Sequence, residues 1–131
     1  MRILFIAFIL FISFGTPTTS LAYQSELNPC VEVAHCSREE WDVKSLQKPF
    51  EKLKDIIGNT PRTKIIELQD NYIHAEVTSK WMKYVDDLEI AYLPDKNNIQ
   101  IRSESRVGES DLGVNSKRVG LLKTKLFENN F

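Results

Sequence analysis

The chain has 131 residues, a formal net charge of −1 and 42% hydrophobic residues, which is the length of one domain with a core of its own. The near-neutral charge, with both signs mixed along the chain, gives no support for nucleic-acid binding or for attachment to anionic lipid. No cofactor motif, metal-ligand spacing or catalytic signature is present in the sequence.

The first 22 residues have the layout of a secretory signal peptide. Met1 and Arg2 precede an apolar segment from Ile3 to Phe14, and Ser20-Leu21-Ala22 ends the leader with small residues. The apolar segment is 12 residues long, whereas a membrane-spanning helix needs roughly 20. We therefore predict export and cleavage after Ala22, with no stable membrane span afterwards. Retention of the leader as an anchor is the alternative.

Residues 23–42 show little periodicity and contain both cysteines, so we expect an N-terminal arm. In an exported chain, a close pair such as Cys30 and Cys36 most often forms a disulfide. The ring would restrict the unfolded chain by about 2.4 kcal/mol. The alternative is a metal site with Cys30, His35 and Cys36 as ligands. It lacks a fourth nearby ligand and zinc-finger spacing, so we expect no metal.

The spacing i, i+4, i+7, i+11 predicts an amphipathic helix with an apolar stripe formed by Leu46, Phe50, Leu53 and Ile57. Pro49 fits only its first turn, and Gly58-Asn59 ends it. Near the C-terminus, Val119, Leu122 and Leu126 mark a second helix, with Asp111 or Asn115 as its N-cap.

Two predicted hairpins lie between the helices. The first pairs Thr63–Gln69 with Tyr72–Thr78 around Asp70-Asn71. Its register matches Leu68 with Ile73, Glu67 with His74 and Ile66 with Ala75, which places Ile66 and Leu68 on the apolar face and Ile65 on the polar face. The second hairpin turns at Pro94–Asn97 and matches Ile90 with Ile101 and Glu89 with Arg102.

These elements predict an α+β, two-layer fold in which a four-stranded antiparallel meander is covered on one face by an N-terminal and a C-terminal helix. Residues 43–131 would form this single domain. The opposite face would carry polar side chains: Glu67, His74, Glu76, Asp87, Glu89, Arg102, Glu104 and Arg106.

The segment 102–118 is rich in arginine, serine, aspartate and glycine and lies between a strand and a helix. In one interpretation it is a polar platform that binds an anionic group or a protein partner, with the binding residues Arg102, Ser105, Arg106, Asp111, Asn115 and Arg118. In the other, Asp86, Asp87 and Asp111 neutralise the same arginines, and the network fixes the last strand to the C-terminal helix.

Two further sets of residues invite a functional interpretation. His74 with Glu76 or Asp87 resembles the base and orienting acid of a hydrolase, although no nucleophile motif accompanies them, and cross-strand pairs on a solvated sheet face are the simpler interpretation. Aromatic and sulfur side chains could line a ligand pocket, but core positions are the more frequent use of such residues; they are Trp41, Trp81, Met82 and Tyr84.

Several motifs together resemble the uncharacterised family called domain of unknown function 1499. They are Thr60-Pro61-Arg62, His74-Ala75-Glu76, the segment from Tyr84 to Glu89, and the long pattern from Arg102 to Arg118. The resemblance covers the chain from about Asn28 to Leu126. The arm with Cys30, His35 and Cys36 looks like the branch from photosynthetic bacteria, and Glu109 departs from the usual pattern.

The resemblance implies a small exported protein of the periplasm or thylakoid lumen, and it implies no reaction or cofactor. Its motif residues map onto Arg62, Asp86, Asp87, Arg102, Ser105, Arg106, Asp111, Asn115 and Arg118. From the whole sequence we predict a non-catalytic exported binding module. The alternatives are a structural or assembly protein of the envelope or lumen, and the hydrolase based on His74.

Overall fold

The computed structural model describes residues 26–128, and the predicted signal peptide lies outside this range. The strands are β1 (Cys36–Asp42), β2 (Thr63–Leu68), β3 (Tyr72–Thr78), β4 (Val85–Leu93) and β5 (Asn98–Ser105), and the helices are α1 (Pro49–Gly58) and α2 (Val114–Phe127). The strands form one antiparallel sheet in the order β1-β5-β4-β3-β2. The α+β class is therefore confirmed. No helix of residues 26–128 is long and apolar enough to cross a membrane.

The sheet has five strands, so the predicted four-stranded meander is wrong in strand number. The additional strand β1 comes from the predicted arm and pairs with β5 along its whole length, which places α1 after a strand rather than at the start of the fold. Its sequence, Cys-Ser-Arg-Glu-Glu-Trp-Asp, does not alternate between apolar and polar residues. Only Cys36 and Trp41 in it are buried, so the period-2 signal of a strand is missing.

The predicted pairing of β2 is correct near the turn and wrong beyond it. Leu68 faces Ile73 and Glu67 faces His74 as predicted, but a β-bulge then places Ile65, not Ile66, opposite Ala75. One extra residue in a strand reverses the face of every side chain that follows. Ile65 consequently packs against the core and Ile66 is exposed. Leu68 lies on the turn side of the bulge and keeps its predicted partner, yet it is also exposed on this edge strand. The second hairpin has the predicted register, with Ile90 opposite Ile101 and Glu89 opposite Arg102.

The core lies between one face of the sheet and the two helices. The stripe predicted for α1 contributes the buried residues Phe50, Leu53 and Ile57, and Leu46 is partly buried beside them. Pro49 is at the start of α1, as predicted. The sheet and α2 supply the other large members of the core, which are Trp41, Ile73, Leu88, Ile90, Ile99, Ile101, Val119, Leu122 and Leu126. Burial of this apolar area is the main favourable term for folding.

The start of α2 differs from both predicted N-caps. The N-cap is Gly113, whose φ of 80° is readily adopted only by glycine. Asp111, two residues before this N-cap, supplies the capping hydrogen bonds. Its carboxylate accepts from the backbone N–H groups of Gly113 (2.8 Å) and Asn115 (2.9 Å), which would otherwise lack a partner at the helix start. Asn115 itself lies within the helix.

A disulfide joins Cys30 to Cys36, as predicted, with 5.7 Å between the two Cα atoms. The ring closes at the first residue of β1, so it fixes residues 30–35 beside the end of β5. Two backbone hydrogen bonds hold this segment, from the N–H of Ser105 to the carbonyl of His35 (3.0 Å) and from the N–H of Asp111 to the carbonyl of Ala34 (3.0 Å).

Candidate binding site

Four loops meet at one end of the sheet, where β1, β2 and β4 begin and β3 and β5 end. They are residues 30–35 in the disulfide ring, 59–62 before β2, 79–84 between β3 and β4, and 106–113 between β5 and α2. We call this region the loop end. Loops carried by a rigid sheet are a common place for binding residues, so we describe the loop end first.

A cleft of about 610 Å³ opens at the loop end between residues 79–84, residues 106–113 and the start of α2. Its polar lining includes Asp86, Ser105 and Asp111, and its apolar lining includes Tyr84 and Leu112. The remaining lining residues are Ser79, Val107, Gly108, Ser110 and Val114. A cleft of this volume is within the range of small-ligand sites.

Asn115 is the centre of the polar network beneath the cleft. It is 0% exposed, and its Nδ2 lies 2.7 Å from Asp111 Oδ2, 2.9 Å from Ser105 Oγ and 3.1 Å from the backbone carbonyl oxygen of His35. Its Oδ1 accepts a hydrogen bond from Ser103 Oγ at 2.7 Å. One side chain therefore joins α2, β5, the 106–113 loop and the disulfide segment.

Arg118 extends the network to β4. Its Nη2 donates to Asp86 Oδ2 at 2.7 Å, and its Nη1 donates to Ser103 Oγ (2.9 Å) and Asn115 Oδ1 (2.6 Å). Asp86 is buried and the Arg118 side chain is only 17% exposed. This guanidinium is thus already paired with a carboxylate, and its contacts connect α2 to β4 and β5.

Asp111 remains ionised at the edge of the cleft. Burial alone would raise the pKa of its carboxyl, but hydrogen bonds from the backbone and side chain of Asn115 and from the backbone N–H of Gly113 outweigh burial and hold the pKa below its ordinary value. The carboxylate is thus an acceptor that orders the loop before α2.

The other two arginines of the predicted platform lie on the opposite face of the sheet. Arg102 donates to Glu89 Oε2 at 2.8 Å and also pairs with Glu104. Arg106 donates to both carboxylate oxygens of Asp87, at 2.8 and 2.7 Å, and to Glu76 Oε1 at 2.6 Å. Alternate residues of a strand point to opposite faces, so the sheet separates these two arginines from Ser105, Asn115 and Arg118.

Comparison with known families gives a match that covers the sheet, both helices and the loop end. The model of a family described as "Protein of unknown function (DUF1499)" matches residues 20–126. The chain belongs to the DUF1499 family. Among curated proteins, no relative was found.

The DUF1499 motif residues fall into two groups in this chain. The first is the network under the cleft, formed by Asp86, Ser105, Asp111, Asn115 and Arg118. The second is the pair of ion-pair clusters on the open sheet face, which contain Asp87, Arg102 and Arg106. Arg62 belongs to neither and donates from Nε to the carbonyl of Thr78 at 3.2 Å. The segment from Arg102 to Arg118 is therefore continuous in sequence, but its residues belong to two separate clusters in space.

His74 and Asp87 lie on the open sheet face of the DUF1499 domain and do not line the cleft. His74 Nε2 is 2.7 Å from Asp87 Oδ1, while Asp87 and Glu76 are both bound by Arg106. The carboxylate that would orient a histidine base is thus already held by a guanidinium. Residues 26–128 contain no cluster of three or more histidine, cysteine or acidic side chains able to hold a metal ion.

Acid titration is expected to reveal the stabilising effect of Asp87. Hydrogen bonds from Arg106 hold the pKa of the Asp87 carboxyl below its ordinary value of 3.8, against the effect of burial, and His74 lowers it further. Because the folded-state pKa is depressed, the carboxylate stabilises the fold above the unfolded-state pKa of about 3.9, and this contribution is lost as the pH falls through the folded-state value.

In Arg106→Ala we therefore expect acid unfolding, followed by circular dichroism, to begin at a higher pH than in the parent chain. The control is Lys44→Ala, which removes an exposed cation that has no ion pair within residues 26–128. Coincident curves for Arg106→Ala and the control would contradict this assignment.

Large apolar side chains surround the cleft and are exposed to solvent. Trp81 is 81% exposed and Leu112 is 92% exposed. Tyr84, Val107, Leu112 and Val114 line the cleft, Trp81 and Met82 lie on its 79–84 loop, and Leu121 is on α2. Of the aromatic and sulfur residues that the sequence placed more readily in the core, only Trp41 is buried there, at 2% exposure. Sequence reasoning did not single out Val107 or Leu112, because an apolar residue in a loop has no periodicity to indicate its environment. It also did not single out Val114 or Leu121, which lie on α2 outside its stripe of Val119, Leu122 and Leu126.

A smaller groove of about 280 Å³ lies on the other side of Val114, between α2 and residues 60–62. Its apolar residues include Val114 and Leu121, and its cations are Arg62, Lys117, Arg118 and Lys125. Of these cations only Arg118 has an ion pair within residues 26–128. Val114 borders both the cleft and the groove, so the two form adjoining parts of one surface.

Proposed function

We propose that this DUF1499 chain is a non-catalytic binding module, and that its loop end binds an amphipathic ligand with an apolar body and an anionic head. The observation that carries the proposal is the exposed apolar rim around a cleft whose polar floor is already hydrogen-bonded. Monomeric proteins rarely expose apolar side chains in a contiguous group unless the group has a binding role.

The hydrogen bonds beneath the cleft support a binding role over a catalytic one. Asn115, Asp111 and Arg118 each hold several protein partners, which makes the floor rigid and pre-formed. A pre-formed site reduces the entropy lost when a ligand binds. The same contacts leave no activated nucleophile beside a base within the cleft lining.

The anionic head is assigned to Arg62 and Lys117 instead of the three arginines of segment 102–118. Arg102, Arg106 and Arg118 each have a carboxylate within 3.0 Å, so an anion would have to displace an existing pair. Arg62 and Lys117 have no ion pair within residues 26–128 and lie at the groove that shares Val114 with the cleft. A ligand with its alkyl chain in the cleft and its sulfate or carboxylate beside Lys117 would match both the apolar lining of the cleft and the cations of the groove.

Location is part of the same proposal. The leader pattern of residues 1–22 and the disulfide between Cys30 and Cys36 support export to a compartment where disulfides persist. The periplasm or a thylakoid lumen fits this chemistry, and the arm with Cys30, His35 and Cys36 fits the photosynthetic branch. A structural or assembly protein of the same compartment is the second candidate, and the apolar rim would then contact a protein.

Binding of decyl sulfate monomers, below the micelle concentration, tests the proposal. We expect saturable binding, followed by two-dimensional amide NMR, with shifts confined to residues 79–84, 106–114 and the first turns of α2. Val114→Asp should weaken binding at least tenfold. The variant should still fold, because residue 114 is exposed and a carboxylate in the first turn of a helix interacts favourably with the helix dipole.

The matched control is Leu68→Asp, which places the same charge at an exposed apolar position on β2, away from the cleft and groove. Equal binding by Val114→Asp and the parent chain would overturn the assignment of the site. If neither protein binds the amphiphile at all, the second candidate becomes the better explanation of the apolar rim.

A further inference from the structure

The apolar side chains at the loop end project from several separate loops. Of the eleven large hydrophobic residues exposed within residues 26–128, all except Ile66 and Leu68 lie on this end or beside it. Trp81 and Met82 are on the 79–84 loop, Val107 and Leu112 on the 106–113 loop, and the disulfide ring adds Val31 and Val33. This arrangement makes the loop end an apolar tip formed by side chains from three of its four loops.

Cations alternate with these apolar side chains. Lys80 and Lys83 flank Trp81 and Met82, and the Lys80 Nζ lies 4.8 Å from the centre of the Trp81 ring. Lys80, Lys83, Arg62 and Lys117 have no ion pair within residues 26–128, whereas Asp86 is paired with Arg118. Glu32 and Glu109 are the exposed acids of the four loops.

Around the loop end, the four unpaired cations Arg62, Lys80, Lys83 and Lys117 exceed the acids Glu32, Glu109 and Asp111 by one, although the whole chain carries a net charge of −1. The overall composition argued against attachment to anionic lipid, but composition does not report where charges lie. On the open sheet face, acids and arginines neutralise one another in ion pairs that include Arg102–Glu89 and Arg106–Asp87. The four cations at the loop end have no such ion pairs within residues 26–128, so they are available to an external anion.

We infer that the loop end docks on a lipid surface that contains anionic headgroups. The inference rests on the proposed function, since it identifies the amphipathic ligand as lipid in a membrane leaflet. Trp and Tyr side chains favour the membrane interface, and apolar side chains that enter it bind more strongly when cations nearby meet anionic headgroups. Trp81, Met82, Tyr84, Lys80 and Lys83 supply this combination within five consecutive residues.

Charge and shape favour a lipid surface over a second copy of the chain. Two copies that met through their loop ends would bring together two surfaces that each have a small excess of unpaired cations, which is unfavourable. Moreover, the tip residues lie on separate loops. Positive φ angles at Lys83 (58°) and Leu112 (53°) mark tight turns in two of them. Short tips held in this way match insertion to a shallow depth in a fluid interface.

Tryptophan fluorescence provides a direct test because the chain has two tryptophans in opposite environments. Trp81 is 81% exposed at the tip, while Trp41 is 2% exposed in the core. We expect the emission to shift to shorter wavelength on addition of phosphatidylcholine vesicles containing one-third phosphatidylglycerol, with little change for pure phosphatidylcholine. Trp81→Phe should abolish the shift, and brominated lipids should quench Trp81 alone.

The charge contribution is tested with a matched pair of double variants. Lys80→Ala with Lys83→Ala should lower the vesicle partition coefficient roughly 25-fold, at about fivefold per lysine near an anionic surface. The control, Lys44→Ala with Lys48→Ala, removes the same charge from the opposite end of the sheet, where β1 ends and α1 begins. It should change the vesicle partition coefficient less than twofold.

Three outcomes would overturn the inference. The first is an absent shift with anionic vesicles while decyl sulfate still binds, which leaves the proposed function intact. The second is an equal fall of the partition coefficient in both double variants, which would mean that the total charge of the protein, and not docking by the loop end, determines vesicle binding. The third is an absence of binding to both vesicles and decyl sulfate, which contradicts the proposed function as well.

Discussion

Replacement of Arg118 by alanine is expected to lower the free energy of unfolding by about 3–5 kcal/mol, because it leaves the buried Asp86 carboxylate without its partner. The guanidinium also donates to Ser103 and Asn115. Those two groups keep a hydrogen bond to each other at 2.7 Å, so the unpaired charge of Asp86 is the dominant cost.

Urea unfolding at neutral pH measures this effect, and Arg106→Ala is the matched control. Arg106 also pairs with an aspartate, but its side chain is 43% exposed, and exposed ion pairs contribute little. A second test removes both charges with Asp86→Asn and Arg118→Met, and we expect it to recover part of the loss. If the free energy of unfolding of Arg118→Ala equals or exceeds that of Arg106→Ala, the interpretation is wrong.

Asn115→Ala is expected to destabilise the fold by roughly 3 kcal/mol, because several buried polar groups each lose one hydrogen bond at once. The backbone carbonyl of His35, the hydroxyl of Ser105 and one oxygen of Asp111 all lie within 3.1 Å of its Nδ2. Alanine has the higher helix propensity, so a loss of stability cannot come from the helix itself.

Two measurements separate this effect from a general weakening of α2. Ser116→Ala changes the neighbouring, exposed residue of the same helix, and its unfolding free energy should stay close to that of the parent chain. In Asn115→Ala, amide hydrogen exchange should increase most at Ser105 and Asp111, whose N–H groups bind the disulfide segment. Uniform acceleration along α2 would indicate that Asn115 has no special role at the cleft.

The sequence was sufficient to predict the parts of the fold that have clear periodicity. The helix stripe at Phe50, Leu53 and Ile57 and the pairing of Ile90 with Ile101 are both present in the structure. Strand β1 could not be predicted, because its hydrogen bonds come from β5, about sixty residues later, and its side chains do not alternate. The bulge in β2 could not be predicted either, because it is a single extra residue that the sequence pattern does not mark.

The candidate site shows a similar division. Asp86 and Arg118 were among the acids and arginines of one of the two interpretations, the structural network, and they form an ion pair at 2.7 Å. Arg102 and Ser103 are neighbours in a strand and therefore point to opposite faces of the sheet. The sequence analysis nevertheless treated the whole segment 102–118 as one platform, because its polar residues are close together in sequence. The apolar rim at Trp81 and Leu112 could not be predicted, since exposure in a loop depends on which other loops cover it.

The bulge between Ile65 and Glu67 has a consequence for how molecules of this protein meet one another. β2 is an edge strand, and it exposes Ile66 and Leu68. A regular edge of this kind is a template for strand addition and aggregation at high concentration. The bulge breaks the ladder after two paired residues and bends the strand, so an incoming chain finds no continuous row of hydrogen-bonding groups. We therefore expect the bulge, which made the register hard to predict, also to hinder strand addition at this edge.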